Sequence, residues 1–272
     1  MDLEEIRVAV LRIEGNNCED ETVRAFKYLG VDAEAVHLKQ FYSDTIKESE
    51  QRSLFDYHCL VIPGGFSAGD YVRAGAILSA RMKSVLRRDL EIFISEGYPV
   101  LGICNGFQVL VELGALPGFD EDKPISEMPE MALTVNKSAR FECRPSYLKH
   151  ENKCIFTNLL DLDKIVMFPV AHAEGRVVFP KEKEEEILNK LIENGQIVFR
   201  YVDENGNYAG YPWNPNGSTY NIAGICNVRG NVFGLMPHPE RVFWGYQQGK
   251  DEIYGDGAVI FKSVIEYLRK NF

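Results

Sequence analysis

The chain has 272 residues, 45% of them hydrophobic and 26% charged, a balance that supports one continuous α/β domain over residues 1–272 with a sizeable core. Thirty basic against 40 acidic residues leave a formal charge of −10, which argues against nucleic acid or an anionic membrane as partner, since either needs a basic surface. No apolar run approaches the roughly 20 residues that cross a bilayer, and the acidic opening Met1-Asp2-Leu3-Glu4-Glu5 lacks the basic start of a secretory signal, so a cytoplasmic protein is expected.

In chain order, Ile6–Leu11 is short and β-branched and predicts a first strand. Apolar residues at helical spacing over Glu19–Leu29 predict a helix closed by Gly30, and Ala33–Leu38 a second strand. Cys59–Ile62 is an apolar run stopped by Pro63-Gly64-Gly65. Ile77–Glu96 predicts one long amphipathic helix, Pro99–Ile103 a buried strand, and Asn105–Leu113 the helix after it. This alternation implies a mostly parallel central sheet with helices on both faces. The second half is more mixed. Ala132–Arg140 and Ile165–Phe168 predict strands, and Lys181–Glu193 a charged, solvated helix. Ile197–Val202 and Tyr208–Gly210 predict a hairpin about Asp203-Glu204-Asn205-Gly206-Asn207. Ile222–Val228 pairs with Asn231–Leu235, and Ser263–Arg269 closes the chain as a helix.

Gly102-Ile103-Cys104-Asn105-Gly106 has the spacing of a nucleophile elbow with cysteine in place of serine. A sharp strand-to-helix turn crowds the positions two before and two after the nucleophile, hence the glycines. It also sets Cys104 at a helix N-terminus, where free N–H groups favour the thiolate. The elbow offers the Asn105 amide to an oxyanion, and a second donor is expected from Gly65 or Phe66 in the glycine loop. The base is sought in Met236-Pro237-His238-Pro239-Glu240. In extended chain, residues two apart share a face, so Glu240 can hold the His238 ring in one tautomer. Of five histidines, only His238 is followed two residues later by an acid across a proline; His37, His58 and His150 have ordinary surroundings. The six cysteines include no C-x-x-C pair, so no metal site or disulfide is expected, and all but Cys104 read as small buried hydrophobes.

These residues resemble the class I, triad-type glutamine amidotransferases, whose marks are G-x-C-x-G-x-Q, here Gly102–Gln108, and a distal P-H-P-E. Further stretches narrow the resemblance to the glutaminase subunits of phosphoribosylformylglycinamidine synthase. They are Gly15–Cys18, Pro63–Tyr71, Asn136–Ser138, Ala171–Arg176, Gly210–Ser218, Ile222–Asn227 and Gly234–Arg241. The resemblance implies a flavodoxin-like sheet, with Cys104 as nucleophile, His238 as acid and base, and Glu240 orienting it. It also implies that Gly64, Gln108 and His172 help bind glutamine. Against the compact form of that family the chain is longer over residues 69–99 and 140–171. No G-x-x-x-x-G-K-[ST] phosphate loop is present, so no cofactor is expected on this chain. ATP and magnesium are expected on a large synthetase subunit, joined by a small third subunit, which would use the ammonia to make formylglycinamidine ribonucleotide. The residues alone leave three alternatives: a glutaminase serving another synthetase, a stand-alone cysteine hydrolase, and a non-catalytic scaffold.

Overall fold

The structure is a computed structural model and describes residues 1–42 and 45–272. In chain order, the first half runs β1 (Arg7–Arg12), α1 (Glu19–Tyr28), β2 (Asp32–His37), β3 (Cys59–Ile62), α2 (Ala76–Val85), α3 (Arg87–Ser95), β4 (Val100–Ile103) and α4 (Asn105–Leu113). The second half runs β5 (Ala132–Val135), β6 (Glu142–His150), β7 (Ile165–His172), β8 (Glu174–Val178), α5 (Glu184–Glu193), β9 (Ile197–Val202), β10 (Ile222–Cys226), β11 (Val232–Leu235) and α6 (Ala258–Asn271).

Nine strands form one sheet in the order β2-β1-β3-β4-β11-β10-β9-β6-β7, and β5 pairs with β8 in a separate ribbon. The block β2-β1-β3-β4-β11 is parallel. From β11 outward every pairing is antiparallel. Strands β3, β4 and β11 are buried at every residue, as expected where both faces of a parallel sheet are covered. The chain leaves β1 for β2 on one side and returns to β3 on the other. That reversal opens a crevice at the carboxyl edge, where ligands of such sheets bind. Helices α1 and α6 pack together through Phe26 and Phe261, with ring centroids 5.1 Å apart; α2 packs on α4.

Several expectations need correction. The long helix predicted over residues 77–96 is two helices, because Leu86 (φ −123°, ψ −3°) leaves helical geometry, and its buried side chain fills the corner. Residues 208–210 form no strand, although the turn before them is as expected, with the Gly206 amide donating to the Asp203 carbonyl at 3.0 Å. Both edges of β9 are already taken, by β10 and by β6, so no ladder is open to a returning strand. The strand expected over 132–140 stops at Val135, where Asn136 starts a turn carrying Ala139 at φ 53°. Strands β6 and β8 carry no prediction. The longer segments find their places: residues 69–99 hold α2 and α3, and residues 140–171 hold β6 and most of β7.

Candidate active site

The carboxyl ends of β1, β3, β4 and β11 deliver the loops at residues 13–18, 63–70, 104–106 and 236–240 to one place. Cys104 follows β4 with φ 50° and ψ −104°, a conformation that costs a non-glycine residue about 1–3 kcal/mol. Its amide donates to the Leu235 carbonyl at 2.8 Å and its carbonyl accepts from the Gln108 amide at 3.2 Å, so β11 and the first turn of α4 hold the strain. The flanking glycines are steric necessities. A Cβ on Gly106 would lie 1.9 Å from the Ile62 carbonyl oxygen, and one on Gly102 would lie 2.6 Å from that of Gly106. Cys104 is 5% exposed and its sulfur faces the Ala171 carbonyl at 3.7 Å.

His238 and Glu240 are both buried, with Nδ1 and Oε1 2.5 Å apart. A carboxylate oxygen accepts, so Nδ1 carries a proton and Nε2 is the nitrogen left to exchange one. Nε2 has no other partner among the described residues, nor has Glu240 Oε2. The segment is tied down by the His238 amide, which donates to the Pro169 carbonyl at 2.8 Å. Burial pushes the His238 pKa down, but the Glu240 charge, with Cys104 and then Cys18, outweighs it and holds the imidazole well above its ordinary range. His172 is the control. It is equally buried but has no carboxylate partner, and burial first, then the His238 charge, depress its pKa to about 3.

His172-Ala173-Glu174 has the same spacing as His238-Pro239-Glu240, yet its two side chains part company. His172 Nδ1 bonds Asn136 Oδ1 at 3.1 Å, and Glu174 Oε2 accepts from the Ala74 amide at 3.1 Å. Gln108 donates to the Glu174 carbonyl at 2.6 Å and accepts from Asn105 Nδ2 at 3.0 Å. Cys104, Gln108 and His172 therefore line one cavity of about 190 Å³ with Gly65, Phe66, Asp70 and Glu174.

The glycine loop divides its tasks differently from the expectation. The Phe66 amide donates to the Gly15 carbonyl at 2.8 Å and is not free for an oxyanion. Among the described residues, the amides of Gly65 and Asn105 have no acceptor. Gly64, expected at the substrate, lies behind the imidazole: a Cβ there would be 2.8 Å from His238 Cε1 and 3.1 Å from Cys18 Sγ. Sequence reasoning passed over Cys18 and Arg241. The Arg241 guanidinium donates to Cys18 Sγ at 3.1 Å and to Glu21 Oε1 at 3.3 Å, tying α1 to the segment that carries His238. Ligand-capable atoms of Cys18, His238 and Glu240 lie within 4.8 Å of one another, but they are committed to each other and to Arg241.

A flavodoxin-like sheet with an elbow cysteine beside a buried His–Glu pair is the arrangement of a triad-type glutamine amidotransferase. Residues 5–268 match the CobB/CobQ-like glutamine amidotransferase domain, and the chain belongs to that family. It is 73% identical over 271 residues to the phosphoribosylformylglycinamidine synthase subunit PurQ of Archaeoglobus fulgidus, covering 99% of this chain and 100% of the relative. The PurQ subunit of Picrophilus torridus is 47% identical over 259 residues, covering 94% and 96%. Among solved structures, PurLQS from Thermotoga maritima has a chain that superposes with a TM-score of 0.71 at 31% identity, over 97% of this chain and 99% of that one.

Proposed function

We propose that this chain hydrolyses glutamine and passes the ammonia to an ATP-dependent synthetase that converts formylglycinamide ribonucleotide to formylglycinamidine ribonucleotide. The observation that carries the chemistry is the buried His238–Glu240 pair, 2.5 Å apart, beside a strained elbow cysteine that lines a cavity of about 190 Å³. His238 Nε2 takes the Cys104 thiol proton, and Glu240 stabilises the imidazolium that forms. The thiolate attacks the side-chain amide carbon of glutamine. The amides of Gly65 and Asn105 receive the oxyanion, and the imidazolium returns its proton to nitrogen as ammonia leaves. Water, deprotonated by His238, then attacks the γ-glutamyl thioester; glutamate departs and the thiol is restored. Gln108 and His172 take part in holding the substrate.

The 73% identity to a PurQ subunit and the PurLQS likeness support the assignment to purine synthesis. The partners are then the large synthetase subunit, which binds ATP and magnesium, and the small third subunit, in the cytoplasm. No helix among the described residues is long and apolar enough to cross a membrane. Cys104→Ala in the assembled complex should abolish glutamine-dependent synthesis and spare ammonia-dependent synthesis. Loss of both from an intact complex would refute this division of labour.

A further inference from the structure

We infer that Asp70 and Glu174 form the subsite that reads the α-ammonium group of glutamine, which makes the cavity selective for an amino acid over any other carboxamide. The inference rests on the proposed glutamine hydrolysis and concerns the end of the substrate remote from the bond that breaks. Among the described residues, Asp70 and Glu174 are the only charged ones lining the cavity that Cys104 opens into, and both are acids. Neither forms a salt bridge among the described residues. The nearby Arg73 guanidinium is spent on a two-pronged pair with Glu112, both contacts at 2.6 Å.

Backbone and amide donors fix the two carboxylates on one oxygen each. Asp70 Oδ1 accepts from the Gly75 amide at 3.4 Å and from Asn105 Nδ2 at 3.2 Å; Glu174 Oε2 accepts from the Ala74 amide at 3.1 Å. Asp70 Oδ2 and Glu174 Oε1 accept no hydrogen bond among the described residues. Half-burial, with the Glu174 charge adding to it, raises the Asp70 pKa. Two like charges whose nearest guanidinium, Arg73, is hydrogen-bonded to Glu112 instead are an unfavourable arrangement that a cationic ligand relieves.

His172 supplies an independent sign of what the ligand must carry. Asn136 Nδ2 donates to the carbonyls of Arg140 and His172, which fixes Asn136 Oδ1 as the acceptor for His172 Nδ1–H. His172 Nε2 is therefore a bare lone pair, on a ring only 3% exposed, and it has no partner among the described residues. The cavity thus offers side-chain acceptors without a cationic donor. A ligand with N–H groups at both ends, the carboxamide at Cys104 and an ammonium at the acids, fits that pattern. The chain Asp70–Asn105–Gln108–Glu174 joins this subsite to the residue that follows the nucleophile.

The test is steady-state glutamate or glutarate release by the assembled complex, from glutamine and from its desamino analogue glutaramate. Asp70→Asn and Glu174→Gln keep an oxygen for the backbone donors and remove only the charge. Each should raise the KM for glutamine by roughly 10- to 100-fold, the loss expected for a charge-assisted contact, and lower kcat far less. The kcat/KM for glutaramate should barely change, so the preference for glutamine over glutaramate collapses. Equal losses on both substrates, or an unchanged KM, would overturn the inference. Wild-type enzyme alone gives a second reading: less than about a threefold preference for glutamine over glutaramate would also overturn it. Hydrolysis of neither compound by wild type would instead sink the proposed chemistry itself. Iodoacetamide labelling of Cys104 at the wild-type rate separates a lost contact from a lost fold.

Discussion

Replacing Glu240 by glutamine isolates what the acid of the proposed triad contributes. The substitution is nearly isosteric, and the side chain is fully buried, so packing is preserved. Its charge, however, is the largest of the contributions that together outweigh burial at His238. With the carboxylate neutralised, desolvation prevails, and the His238 pKa should fall below its ordinary value, as it does at His172. The imidazolium that must form when Cys104 gives up its proton then has no counter-charge. Breaking a buried charged pair costs about 3–5 kcal/mol, and at 1.36 kcal/mol per decade this is about 10²- to 10⁴-fold in kcat. Glutamate release gives the rate, and iodoacetamide alkylation of Cys104 as a function of pH gives the state of the thiol. The variant's alkylation should slow, because His238 no longer takes the thiol proton readily. Turnover within about threefold of wild type with an unshifted alkylation profile would refute the assignment of Glu240.

Two further outcomes follow from single positions. Gly106→Ala sets a Cβ 1.9 Å from a buried carbonyl oxygen and should cost about 3 kcal/mol or more, whereas Gly210→Ala, with nothing within 4 Å, should cost under about 0.5 kcal/mol; urea midpoints compare them, and equal values would contradict the elbow geometry. His172, held at about 3, is neutral in the fold, while the unfolded chain takes up its proton near the ordinary 6.5. The unfolded state binds more protons between those values, so this ring's burial costs stability as pH falls through that window. Between pH 7 and 4.5 wild type should lose about 2 kcal/mol more than His172→Gln, and parallel losses would show that the ring is not held neutral.

The parallel block, the strained turn at Cys104 and the His238–Glu240 contact were legible because local chemistry dictates them: apolar runs for strands buried on both faces, glycines where a Cβ has no room, and a proline between a histidine and its acid. What escaped depends on contacts remote in sequence. Strand β6 reads as polar and contains Pro145, which faces Pro169 across the β7 pairing, beyond the stretch of Tyr147–His150 that pairs with β9. Strand β8 begins two residues after His172, with only Ala173 between, so the Ala171–Arg176 motif hides a strand boundary. The His172–Glu174 spacing imitates a catalytic pair, and only Asn136 and Ala74, both distant in the chain, show that the two side chains serve other partners. Gly15 decides the free amide of the glycine loop in the same way, by occupying Phe66.

The most direct test of the whole account is to quench the complex with acid during turnover of labelled glutamine and to map the label by peptide mass spectrometry. A γ-glutamyl thioester on the peptide containing Cys104, absent in Cys104→Ala, is the predicted result. Rapid glutamate release with no label on that peptide, or label on Cys18 instead, would contradict it.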